Sequence, residues 1–143
     1  HEPSAAFVAG FVGDTNRWTG RVSKTSGAQV EVETWAGLKI IGSVRGSRKP
    51  AQGDTVSIFV RPEYITASKP KKAKNASASG KNAIEGVVDS ILFNGANSRV
   101  LVRDTAGELI EADVVLTGGT DDLQPQQAVM LQWSSEQTMC FGD

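Results

Sequence analysis

Along most of the chain apolar and polar residues take turns one for one, the period of a strand with one face buried. Gln29-Val30-Glu31-Val32-Glu33 and Thr55-Val56-Ser57-Ile58-Phe59-Val60 follow it, and so do Ser98-Arg99-Val100-Leu101-Val102-Arg103, Gly107-Glu108-Leu109-Ile110-Glu111 and Ala128-Val129-Met130-Leu131-Gln132-Trp133. Between the runs stand Ser26-Gly27, Ala36-Gly37, Gly46-Ser47 and Gln52-Gly53-Asp54, residues that favour tight turns. Short connections imply antiparallel neighbours, and the pattern predicts an all-β chain. Two segments depart from it. Glu2 to Val12 places Phe7, Val8, Phe11 and Val12 on one helical face, with Pro3 suited to a first turn and Gly13 as a stop. Residues 68–81 hold no apolar side chain larger than alanine and read as a solvated basic loop.

The strand pattern occurs twice. At an offset of 66 residues Asn16 meets Asn82, Gly20 meets Gly86 and Val22 meets Val88. At 70, Val30 and Val32 meet Val100 and Val102, and Ala36-Gly37 meets Ala106-Gly107. At 73, Val56, Ile58, Val60 and Glu63 meet Val129, Leu131, Trp133 and Glu136. The offset grows only at turns, as two copies of one β-unit require, because a slip inside a strand would turn its buried face outward. Each copy has room for about five short strands, the size of a small OB-type barrel. The expected organisation is a connector helix over 1–13, a first OB-like unit over 14–67, a flexible loop over 68–81 and a second unit over 82–143. A single sandwich with similar halves is the competing architecture.

Composition narrows the chemistry. With 15 basic and 16 acidic side chains the formal charge is −1, so no overall field draws a phosphate backbone. One histidine, His1, and one cysteine, Cys140, supply neither a zinc ligand set nor a catalytic triad. No catalytic residue, metal site or cofactor is expected. The lone cysteine and the lack of a long apolar run favour a cytoplasmic setting. Lys69, Lys71, Lys72, Lys74 and Lys81 form a basic cluster without stacking aromatics beside it, which makes nucleic-acid binding the weaker reading.

Two short motifs carry a family resemblance. Phe7-Val8-Ala9-Gly10-Phe11-Val12-Gly13-Asp14-Thr15-Asn16 resembles the segment F-V-A-x-F-(I/V)-G-x-x-N that follows the nucleotide-binding domain of ABC importer ATPase subunits, and Val60-Arg61-Pro62-Glu63 resembles their V-R-P-E element. Asn82 to Phe141, closing on Leu131-Gln132-Trp133, is similar to the transport-associated OB-like (TOBE) module of the same proteins. The resemblance implies a tandem OB-like regulatory domain, of the polyamine, iron or related small-solute type. That domain would help two ATPase subunits pair as a homodimer, adjoin the nucleotide-binding domain and reach the membrane permease subunits indirectly. It would sit at the inner face of the membrane and possess a site for a small-molecule regulator. ATP and magnesium would belong to the parent subunit's other domain, since no G-x-x-x-x-G-K-(S/T) loop occurs here. An OB-type module for single-stranded nucleic acid or a small oxyanion is the alternative.

Four residues stand out as ligand or interface candidates. Arg61 and Glu63 flank Pro62 in the family element, where a guanidinium could clamp a carboxylate or a neighbouring protomer, or simply pin a strand exit to its loop. Trp18 and Trp35 could form an aromatic platform for an organic cation, whereas Trp133 lies in an apolar strand and is expected in the core.

Overall fold

A computed structural model describes residues 15–46, 49–68, 81–94, 97–114 and 123–142. The predicted connector helix over 1–13 lies outside them, as does the basic loop except for its ends, Ser68 and Lys81. Among the described residues ten strands form two closed barrels, with two 3₁₀ turns and no α-helix.

The first barrel is built on β1 (Asn16–Ser26), β2 (Gln29–Thr34), β3 (Lys39–Val44) and β4 (Thr55–Val60). The chain then passes a 3₁₀ turn, Pro62–Tyr64, into the short β5 (Thr66–Ser68). The second half repeats the series as β6 (Lys81–Asn94), β7 (Asn97–Asp104), β8 (Leu109–Val114) and β9 (Ala128–Ser134), a 3₁₀ turn at Ser135–Gln137, and β10 (Met139–Gly142).

Registers confirm the repeat residue by residue. Gly20 faces Thr34 and Val22 faces Val32 in the first copy, while Gly86 faces Asp104 and Val88 faces Val102 in the second. Both long strands carry a bulge at the same place, just after Val22 and just after Val88. There the backbone of Val22 bonds to Gly53 and Asp54, and that of Val88 bonds to Gln126 and Gln127. A bulge adds twist and frees backbone groups for such a partner, which lets a long strand bend round a small barrel.

The contiguous division into 14–67 and 82–143 is corrected by the pairing. The first compact unit runs to Arg61 and resumes at Ser135, and the second spans Pro62–Ser134. Each copy gives up its last strand: β10 closes the first barrel between β3 and β4, and β5 closes the second between β8 and β9. In both, the inserted strand is parallel to one neighbour and antiparallel to the other, in the order 1-2-3-5-4 of an OB barrel. The physical reason is that backbone hydrogen bonds satisfy an open barrel whichever part of the chain supplies the strand.

Each barrel has its own core. Val22, Val30, Val32, Ile40, Val56, Ile58 and Val60 are buried in the first, and Val88, Val100, Val102, Ile110, Val129, Leu131 and Trp133 in the second. At about 25 cal/mol per Å² of apolar area, such side chains contribute roughly 1.5–3 kcal/mol each before chain entropy is set against them. β4 departs from the simple alternation predicted for it, since Ser57 and Phe59 on its other face are buried too. Phe141 of β10 covers that face, its ring edge-on to Phe59 at 5.9 Å, and Arg17 lies 5.8 Å over the Phe59 ring.

Candidate functional site

The two tryptophans proposed as a platform are separated by burial. Trp18 is 7% exposed on β1, opposite Ile58 of β4, and works as core. Trp35 is 61% exposed at the β2–β3 turn, where its backbone N–H donates to the Thr19 carbonyl at 3.1 Å and the Arg21 guanidinium lies 5.6 Å over its ring. With Glu33, Thr34 and Gly37 they line a shallow concavity of about 270 Å³. The Arg21 stack occupies one face of the ring. Trp133 is buried in the second barrel, as expected.

Arg61 and Glu63 fall on either side of the division between the two units. Arg61 is half-buried just past β4, and Glu63 is exposed in the first turn of Pro62–Tyr64. Pro62 is buried, and its carbonyl accepts from the Ile65 N–H at 3.1 Å, closing the turn.

A second concavity, of about 260 Å³, opens in the second barrel among Val87, Val88, Asp89, Arg103, Asp104 and Gln126. Asp104 ends β7 and is only 6% exposed. Its Oδ1 accepts from the backbone N–H groups of Ala106 and Glu108, at 2.9 Å each. Its Oδ2 is buried without a hydrogen-bond partner. Arg103 donates to the Gly107 carbonyl at 2.8 Å and to Asp89 Oδ1 at 3.3 Å. Nothing in the sequence analysis singled out this cluster. Asp104-Thr105-Ala106-Gly107 reads as an ordinary aspartate-headed turn, and only the comparison with Thr34-Trp35-Ala36-Gly37 marks the acid as an addition.

Among the described residues no three His, Cys, Asp or Glu side chains gather to hold a metal ion. Cys140 is buried, and its thiol is pushed up to about 12 by desolvation, so it is no nucleophile at neutral pH. No helix among them is long and apolar enough to cross a membrane.

Two barrels of OB order, repeated in tandem and completed by each other's last strands, can now be set beside known proteins. The profile of the TOBE domain matches residues 58–141. This chain belongs to the TOBE domain family. It is similar to the spermidine/putrescine import ATP-binding protein PotA of Rubrobacter xylanophilus, 25% identical over 140 residues that make up 98% of this chain and 35% of that protein. PotA of Nostoc sp. is 31% identical over 121 residues, covering 75% of this chain and 30% of the relative. The chain thus spans about a third of the length of the curated relatives it matches. Among solved structures, the cytoplasmic molybdate-binding protein ModG, with molybdate bound, superposes with a TM-score of 0.71 at 18% identity, covering 87% of this chain and 94% of that one. At that identity the likeness is one of fold. The TOBE stretch is a non-catalytic part of such ATPases, and the phosphate-cradling loop that ATP hydrolysis needs is not in these 143 residues.

Proposed function

We propose that this chain is the regulatory and dimerisation module of an ABC importer's ATP-binding subunit, serving a polyamine or related small solute. The observation that carries it is the run of similarity to PotA proteins across 98% of the chain, TOBE domain included. In this reading the module lies on the cytoplasmic side of the inner membrane, held there through the permease subunits. A second copy of the subunit and the nucleotide-binding domain of the same subunit are its protein partners. ATP and magnesium act in that other domain. Two closed barrels suit the role, because a strand-sealed unit transmits a displacement without opening an edge.

The test is ATP-driven uptake of labelled spermidine by the reconstituted transporter, comparing the intact ATP-binding subunit with one cut before Thr15. Loss of uptake or of subunit pairing on truncation, with the ATPase domain still folded, supports the role; unchanged uptake and pairing overturn it. The competing reading, an OB-type module for single-stranded nucleic acid or an oxyanion, draws on the fold shared with a molybdate-binding protein. An oligonucleotide gel-shift that weakens steeply with salt, or a molybdate titration that saturates, would favour it.

A further inference from the structure

We propose that the outward face of β6, β7 and β8 in the second barrel is the surface on which a second copy of this chain docks, face on face. The first barrel shows what the fold alone asks of these positions. On the outward face of its β1, β2 and β3 stand Arg21, Ser26, Glu31 and Lys39, all polar. The same register positions in the second barrel hold Val87, Leu92, Leu101 and Leu109. One exchange runs the other way, Ile41 for Glu111. Val87, Leu92 and Leu109 are 40%, 47% and 48% exposed, and Leu101 is half-buried. Leu109, Leu101 and Leu92 are diagonal neighbours on adjacent strands, so they form one apolar stripe. Scattered singly, such residues are ordinary. Contiguous across three strands, where the sister barrel keeps polar groups, they mark a surface that something covers.

Charge says what covers it. Two ion pairs lie beside the stripe, Arg99 with Glu111 at 2.8 Å and Arg103 with Asp89 at 3.3 Å, so two cations balance two anions. A face that balances its own charge offers no net field to nucleic acid or to an anionic membrane. It does not repel a copy of itself either. About a two-fold axis each stripe lies on its counterpart, and every cation of one copy can meet an anion of the other without any further residue. Area sets the strength. At strand spacings of about 4.8 Å the patch covers roughly 300 Å², against the ~800 Å² per partner of a standard stable interface. Such a face pairs weakly by itself and suffices where other domains already hold two copies close, at effective concentrations on the order of millimolar. The inference rests on the reading of the module as a pairing element, and it adds the surface that does the pairing.

The test follows the amides of the whole chain by NMR over a dilution series, with sedimentation equilibrium on the same samples. Self-association with Kd on the order of 0.1–1 mM is expected, its concentration-dependent shifts gathered on β6, β7 and β8. Val87→Arg combined with Leu109→Lys copies the residues the first barrel already uses, and should weaken association at least about tenfold. Leu92→Ser, which copies Ser26, serves in its place should the double variant fail to fold. Unchanged association in a folded variant, with shifts on another face, overturns this surface and leaves the pairing role standing. A chain that stays monomeric at several millimolar also overturns it, and the truncation experiment then judges the role separately. Shifts on the same strands that appear only when the nucleotide-binding domain is added would assign the face to that domain instead, and overturn the proposal.

Discussion

Gly20 passes so close to Glu33 on the neighbouring strand that a Cβ on it would overlap the Glu33 carbonyl oxygen and the Cα of Thr34. Gly86 repeats the contact in the second barrel, where a Cβ would overlap a Val102 methyl and sit 2.8 Å from the Arg103 carbonyl oxygen. The obstacles at Gly20 are backbone atoms, and at Gly86 a backbone carbonyl stands beside the methyl, so the strands themselves must separate. Gly20→Ala is expected to cost at least about 1–3 kcal/mol, the usual range for overpacking. A urea midpoint that stays put in either alanine variant would show that the crossing has slack.

Gln126 has φ of 73° where the first repeat has Gly53 at 93°. Both residues present their N–H to the bulge, Gly53 to the Val22 carbonyl and Gln126 to the Val88 carbonyl, each at 2.8 Å. A side chain in that region costs roughly 1–2 kcal/mol, and most for a β-branched one. Gln126→Gly should therefore hold or raise stability, by up to about 1 kcal/mol once the freedom glycine gains in the unfolded chain is allowed for. Gln126→Val should lower it by about as much. Urea midpoints with an unchanged slope give the reading.

The exchanged strand makes a less intuitive prediction. Phe141, almost at the end of the sequence, packs on Phe59 and belongs to the first barrel. Phe141→Ala should cost roughly 3–5 kcal/mol. In hydrogen exchange the lost protection should concentrate in β3 and β4, which β10 joins, rather than in β6 to β9 beside it in the sequence. Were each repeat to close on its own last strand, β8 and β9 would lose protection instead.

These three cases show what the sequence carries. Faces of strands are legible because alternation is local, and the repeat is legible because insertions collect at turns. The glycines were visible as matching letters, Gly20 with Gly86, although not as contacts. Strand exchange was hidden, since Thr66-Ala67-Ser68 has one apolar residue and nothing in such a short run names its neighbours. Burial of both faces of β4 was hidden for the same reason, because the covering ring lies 82 residues further on in β10. Of the proposed site residues, Trp18 is a platform candidate in the sequence because its strand partner, Ile58 of β4, is not legible there. Asp104 looked like turn chemistry, which it is, with one oxygen to spare.

Trp35 offers a clean contrast with Trp18. The exposed ring packs mainly against Arg21, and a surface cation–π contact contributes about 0.5–1 kcal/mol. Trp35→Ala should cost no more than that, whereas Trp18→Ala should cost roughly 3–5 kcal/mol. Acrylamide should quench the emission of Trp35 and spare the two buried rings. A Trp35→Ala variant as unstable as Trp18→Ala would mean the turn depends on the ring.

The thiol of Cys140 gives stability a pH dependence of known sign. Burial raises it from 9.0 to about 12, so the folded chain keeps its proton where the unfolded chain releases it. With more protons bound in the folded state, stability falls as pH rises, by up to about 1.4 kcal/mol per unit. The contribution is whole below the unfolded value and is lost progressively between 9.0 and about 12. The expected quantity is a difference that isolates the thiol: wild type minus Cys140→Ala, level near neutral pH and declining above pH 9.0. A thiol reagent should likewise label Cys140 no faster than the first barrel opens, because the sulfur is fully enclosed there. Labelling at the rate of a free thiol in the folded chain, or a flat difference up to pH 11 or so, would place the side chain in water and undo the closure of β10 on β3 and β4.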